Sequence, residues 1–152
     1  MRILCAIGAK RGVELVRRVA DIARADDELV LVHVTETGPR HDLNHLEGTL
    51  RPHHLQRAEL DAAEEEAGSA MLNEALQEAG RIGFAATTRL ERGKAEQVIV
   101  ALARELETKL VALHAREMPH AHPVQGPPSI GHTARFVVDH VLADVLLFRE
   151  RT

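Results

Sequence analysis

Ile3-Leu4-Cys5-Ala6-Ile7 and Leu29-Val30-Leu31-Val32-His33-Val34 are the two stretches on which the fold turns. Each is a short, nearly continuous apolar run, as expected of a strand covered on both faces. Gly8-Ala9-Lys10-Arg11-Gly12 follows the first as a turn. Between turn and second strand, Val13, Val16, Ala20 and Ala23 recur at helical spacing until Asp26-Asp27 interrupts them. Strand, helix, strand with so short a connection requires a right-handed parallel crossover.

The alternation continues to the end of the chain. Leu55 to Gly80 is rich in Ala and Glu and reads as a long helix with Leu60, Ala63, Ala67 and Met71 on its apolar side. Phe84 to Leu90 reads as a third strand. Gly93 opens a helix carrying Val98, Leu102 and Leu106, and Leu110-Val111-Ala112-Leu113 is a fourth strand. Ser129 is a candidate N-cap for a last helix through Phe136, Val137 and Val141, before a strand at Val145-Leu146-Leu147-Phe148. This pattern predicts one α/β domain over residues 1–152, with a doubly wound parallel sheet. Two polar segments interrupt it, Glu36 to His54 and His114 to Pro128. Loops of that length in a compact domain are often functional.

Composition narrows the function. The chain has 152 residues and a formal charge of −4, with acids and bases interspersed. That balance lacks the basic stripe of a nucleic-acid binder. Aromatic residues make up 2%, too few to provide stacking platforms for single strands. No apolar stretch approaches the ~20 residues of a membrane span. The start is too short for a secretory core segment, so the expected location is the cytoplasm. Cys5 is the single cysteine, inside an apolar run, and reads as a small buried hydrophobe.

Three segments together resemble the universal stress protein family. They are Arg2 to Gly8, Gly93-Lys94-Ala95-Glu96-Gln97-Val98-Ile99 through Leu113, and Ile130-Gly131-His132-Thr133-Ala134-Arg135-Phe136 through Arg149. The resemblance implies an open, twisted, five-stranded parallel sheet in the order 3-2-1-4-5 with helices on both faces, a Rossmann-like fold. It also implies stress-response or regulatory work without catalysis, and a homodimer joined through the last strand. Ligands of such sheets bind at the carboxyl ends of the strands, at the switch point, here between the first and fourth strands. Carried over on that basis, the candidate binding residues are Ala6, Gly8, Val34, Leu113, His114, Arg116, Gly131, His132 and Thr133.

The nucleotide signature of the resemblance is largely overwritten. ATP-binding members carry an Asp directly after the first strand, where this chain has Gly8. They carry two glycines after the fourth strand, which align here with His114 and Glu117. A later glycine survives as Gly131, but His132 follows it where a hydroxyl is expected, leaving Thr133 to offer one. Glycines let backbone amides approach phosphate closely, and a helix N-terminus adds partial positive charge. A carboxylate at Glu117 would oppose a triphosphate. The expectation is therefore no resident cofactor and no conventional ATP binding. The alternative is a sensor that takes a nucleotide or another anion at the carboxyl edge. Gly8 and Gly131 otherwise read as tight turns at a strand end and a helix start.

Ten histidines are present. His41, His45, His53 and His54 belong to the first polar segment; His114, His120, His122 and His132 lie in or beside the second. Both segments leave the sheet at the same rim, so the histidines could converge to hold a metal such as zinc, copper or nickel, or an anion. The plainer reading is a set of solvated loop residues.

Overall fold

Ile3, Leu4 and Cys5 are each fully buried because the strand they form has a neighbour on both sides and helices above and below. The structure, a computed structural model, describes residues 1–8, 10–36, 53–115 and 130–149. The strands are β1 (Arg2–Ala6), β2 (Glu28–Glu36), β3 (Ala85–Gly93), β4 (Leu110–His114) and β5 (Asp144–Phe148). The helices are α1 (Gly12–Ala20), α2 (His53–Ile82), α3 (Ala95–Glu105) and α4 (His132–His140). All strands run parallel in the order β3-β2-β1-β4-β5, the order the resemblance implied. Cys5 faces Leu31 of β2 on one side and Ala112 of β4 on the other.

Alternation along the strands sorts the core into two layers. Ile3, Cys5, Leu29, Leu31 and Ala112 pack against Leu15, Val16 and Val19 of α1 and Leu72, Ala75 and Ala79 of α2. Leu4, Val30, Val32, Val111 and Leu113 pack against Ile99, Leu102 and Ala103 of α3 and Ala134 and Val137 of α4. With no Trp or Tyr in the chain, branched aliphatic side chains fill both layers. Burial pushes the Cys5 thiol up to about 12, so it stays a thiol.

Several sequence expectations shift. The inward stripe of α2 is Gly68, Leu72, Ala75 and Ala79, not Leu60, Ala63 and Ala67, which are exposed; Met71 is half-buried. The first half of α2 has little sheet beneath it, so its apolar positions meet water. On α1 the buried residues are Leu15, Val16 and Val19, and the helix ends at Ala20, before Ala23. β3 runs to Gly93 although its last residues are polar. Arg89 pairs with Glu91 at 2.8 Å, and Arg92 reaches Glu65 of α2 at 3.0 Å, so both stay solvated on an edge strand. Gly93 closes that strand at φ 144° instead of opening a helix, and Lys94 takes the N-cap of α3. The N-cap of α4 is Gly131, at φ 90°. Ser129 lies outside the described residues.

Candidate functional site

The carboxyl edge is built by the last residues of β1, β2 and β4 and by the start of α4. Strand β1 ends at Ala6, and Ile7 continues its pairing by donating to the Val32 carbonyl at 2.7 Å. His33 donates from Nδ1 to the Ile7 carbonyl at 2.8 Å, which closes the end of β1 onto β2. The close fit continues at Gly68 of α2, where a Cβ would stand 2.8 Å from His33 Cδ2.

The candidate residues divide between the two faces of the sheet. Ala6, Val34 and Leu113 join the layer shared with α3 and α4, with Ile130 beside them. Gly131 follows, then His132 as the first residue of α4 and Thr133, which is half-buried. An apolar wall beside a helix N-terminus suits an anion attached to a flat apolar group. His114 belongs to the opposite face: two positions beyond Ala112, it turns toward α1 and lies 6.1 Å, ring to ring, from Phe148. Arg116, Glu117, the prolines of the second polar segment and the histidines at 41, 45, 120 and 122 lie outside the described residues, as do the side chains of His53 and His54. Among the described residues no three His, Cys, Asp or Glu groups are placed to hold a metal ion.

Gly8, at the start of the connection from β1 to α1, places no demand for glycine. Its φ lies outside the left-handed region, and a Cβ at that position would meet nothing within 4 Å. Gly131 does need its glycine, because at φ 90° a side chain would be strained. At the head of α4, His132 Nε2 lies 3.4 Å from the Glu96 carboxylate. The Glu96 side chain is only 13% exposed, against 66% for His132. A largely sheltered carboxylate therefore stands beside the helix terminus where phosphate would be expected.

Two features of this edge escaped sequence reasoning. Glu96 was quoted only as part of the third helix. The surroundings of His114 are Arg11, Glu14 and Arg18 of α1. Neither His114 ring nitrogen has a hydrogen-bond partner among the described residues, although the Arg11 backbone lies alongside. Burial is the main cause holding the His114 pKa below its usual value; Glu14 and the Arg11 backbone oppose it, and the charges of Arg11 and Arg18 add to it. The period-two pattern that put Ala112 against α1 would have assigned His114 to the same side.

The sheet order defines a doubly wound, Rossmann-like α/β domain whose switch point lies between β1 and β4. The model of the universal stress protein family matches residues 1–149. This chain belongs to the universal stress protein family. It is similar to a family protein from Arabidopsis thaliana with AMP bound (TM-score 0.67, 15% identity, 100% of this chain and 93% of that one). It is similar to the universal stress protein of Archaeoglobus fulgidus in complex with dAMP (TM-score 0.62, 18% identity, 97% and 96%). A universal stress protein in complex with cAMP matches with TM-score 0.61 and 16% identity over 98% of this chain and 96% of that one. At these identities the likeness is one of fold. No curated protein matches the chain in sequence.

Proposed function

We infer that this chain is a non-enzymatic regulatory member of its family, a cytoplasmic homodimer joined through β5, whose carboxyl-edge crevice does not hold ATP in the usual way of the family. The observation that carries this reading is the head of α4. Glu96 stands 3.4 Å from His132 there, and Gly8 on the other side of the crevice offers no side chain to a nucleoside. A triphosphate would have to displace or neutralise a sheltered carboxylate, and like-charge contact is costly where water is excluded. No Walker loop or nucleophile elbow is present in the sequence, and among the described residues no helix is long and apolar enough to cross a membrane. Calorimetry with ATP and magnesium is the test. The expected result is no binding tighter than about millimolar, or roughly −4 kcal/mol. A micromolar dissociation constant would overturn the reading.

A second reading is favoured by the similar folds that carry AMP, dAMP and cAMP. Ala6, Val34 and Leu113 form an apolar wall suited to a base, and one phosphate places less charge against Glu96 than three. On this reading the crevice senses a mononucleotide, with Gly131, His132 and Thr133 at its phosphate end. AMP binding with ATP excluded would select it.

A further inference from the structure

A groove of about 560 Å³ opens at the amino edge of the sheet, the end opposite the crevice, between α3, α4 and the starts of β4 and β5. That volume is within the range of small-molecule sites. Val100 and Ala103 of α3 and Val141 and Ala143 after α4 give it a half-buried to buried apolar floor. Its rim holds charges of both signs, Arg104 and Lys109 against Glu107 and Asp144.

Elsewhere on the surface, Arg2, Arg17, Arg81, Arg89 and Arg92 each pair with a carboxylate, while Lys94, Arg135 and Asp139, like the groove's rim, have no ion pair among the described residues. The four rim side chains share one groove, yet none has an ion pair or side-chain hydrogen bond among the described residues. Thr108, in the same wall, is 7% exposed, and its hydroxyl has no partner among the described residues. The C-terminal ends of α3 and α4 both reach this groove through Arg104 and His140. Their partial negative charge, with Glu107 and Asp144, favours a cationic group on the ligand. Arg104 and Lys109 favour an anionic one.

We propose that this amino-edge groove binds a small zwitterion with an apolar side chain, of the free α-amino acid class. The carboxylate lies toward Arg104 and Lys109, the ammonium toward Glu107 and Asp144, and the aliphatic part on the Val100–Ala103–Val141–Ala143 floor. A lone amine or a lone acid of the same shape satisfies only half of the rim and leaves the other half unpaired.

The test titrates the protein with L-leucine, 3-methylbutylamine and 4-methylpentanoate, which share the aliphatic group and differ in charge. The expected result is saturable binding of L-leucine, with each single-charge analogue weaker by about tenfold or more. Lys109→Gln and Asp144→Asn each weaken L-leucine by a similar factor. Glu107→Gly guards against an unfolded variant. Glu107 closes α3 at φ 51°, a conformation glycine adopts freely, so this variant melts at or above the parent temperature while losing L-leucine affinity. Equal binding of all three probes overturns the proposal. So does no saturation by L-leucine below about 10 mM, roughly −2.7 kcal/mol, or variants that leave its affinity unchanged.

Discussion

Arg18 holds its guanidinium 4.3 Å over the ring of Phe148 and donates to the Arg149 carbonyl at 2.8 Å, so one side chain of α1 clamps the end of the edge strand β5. Removing the charge while keeping a polar stem should loosen that end. A cation–π contact and a hydrogen bond together are worth about 1–2 kcal/mol. Arg18→Gln is therefore expected to lower the melting temperature by roughly 2–6 °C for a domain of this size. A thermal melt checks it.

His114 makes stability depend on pH. Its proton affinity is lower folded than unfolded, because burial disfavours the imidazolium by more than the neighbouring Glu14 favours it. Below the usual value of 6.5 the unfolded chain takes up a proton that the folded chain resists, so stability rises with pH through that window and falls on acidification. Above 6.5 both states are neutral and the contribution is flat. Urea melts at pH 7.5, 6.5 and 5.5 should show a steeper loss in the parent than in His114→Leu. Solvated histidines common to both chains cancel in that comparison. Parallel curves would remove His114 as the cause.

Two glycines of α2 should respond oppositely to alanine. Gly80 has nothing within 4 Å of a Cβ, so Gly80→Ala gains helix propensity and is expected to stabilise by up to about 1 kcal/mol. At Gly68 the added methyl meets the His33 ring at 2.8 Å and Leu90 at 2.9 Å. Leu90 can swing outward, but His33 is tied to Ile7. Overpacking of about 1–3 kcal/mol then exceeds the propensity gain, and Gly68→Ala is expected to destabilise. Chemical denaturation of both variants gives the two signs.

Gly8→Asp should fold as well as the parent, because the position is open and its backbone is not left-handed. It restores the side chain that the ATP-binding pattern of the family places there. The expected outcome in calorimetry is an unchanged melting temperature with AMP or ATP bound at least tenfold more tightly, a gain of about 1.4 kcal/mol. No gain would put the obstacle at Glu96 and the head of α4 instead.

Assembly through β5 is tested on its outer backbone edge. β5 pairs only with β4 among the described strands, and Val145, Leu146 and Leu147 are half-buried. Leu147→Lys is expected to shift sedimentation toward monomer, with circular dichroism confirming that the fold persists. A folded, dimeric variant would move the interface elsewhere.

The sheet was legible because its strands announce themselves: Leu29 to Val34 and Leu110 to Leu113 are too apolar and too short for anything but buried parallel strands. Helix faces were harder. Leu60, Ala63 and Ala67 share a helical stripe, yet α2 outruns the sheet, and only Gly68 onward finds a floor. Which half of a long helix is covered depends on tertiary placement, which periodicity does not record. The same limit applies at the site. Ala6, Val34 and Leu113 lie on one face of the sheet, while strand alternation sends His114 to the other, a division that naming them as one set of candidate residues does not record. The Glu96–His132 pair joins two helices far apart in sequence, and no local pattern contains it. The convergence expected of the loop histidines falls on residues outside those described.

Cys5 has a practical consequence. It is the chain's only thiol, sealed in the middle of the sheet and held protonated. Alkylating probes should pass the native protein by, since the thiolate is the reacting species. A cysteine introduced on the β5 edge, at the mouth of the crevice or on the amino-edge rim would thus be the sole reactive handle. The natural sequence is a ready background for attaching one fluorophore or spin label at a chosen spot, with nothing to mutate away first.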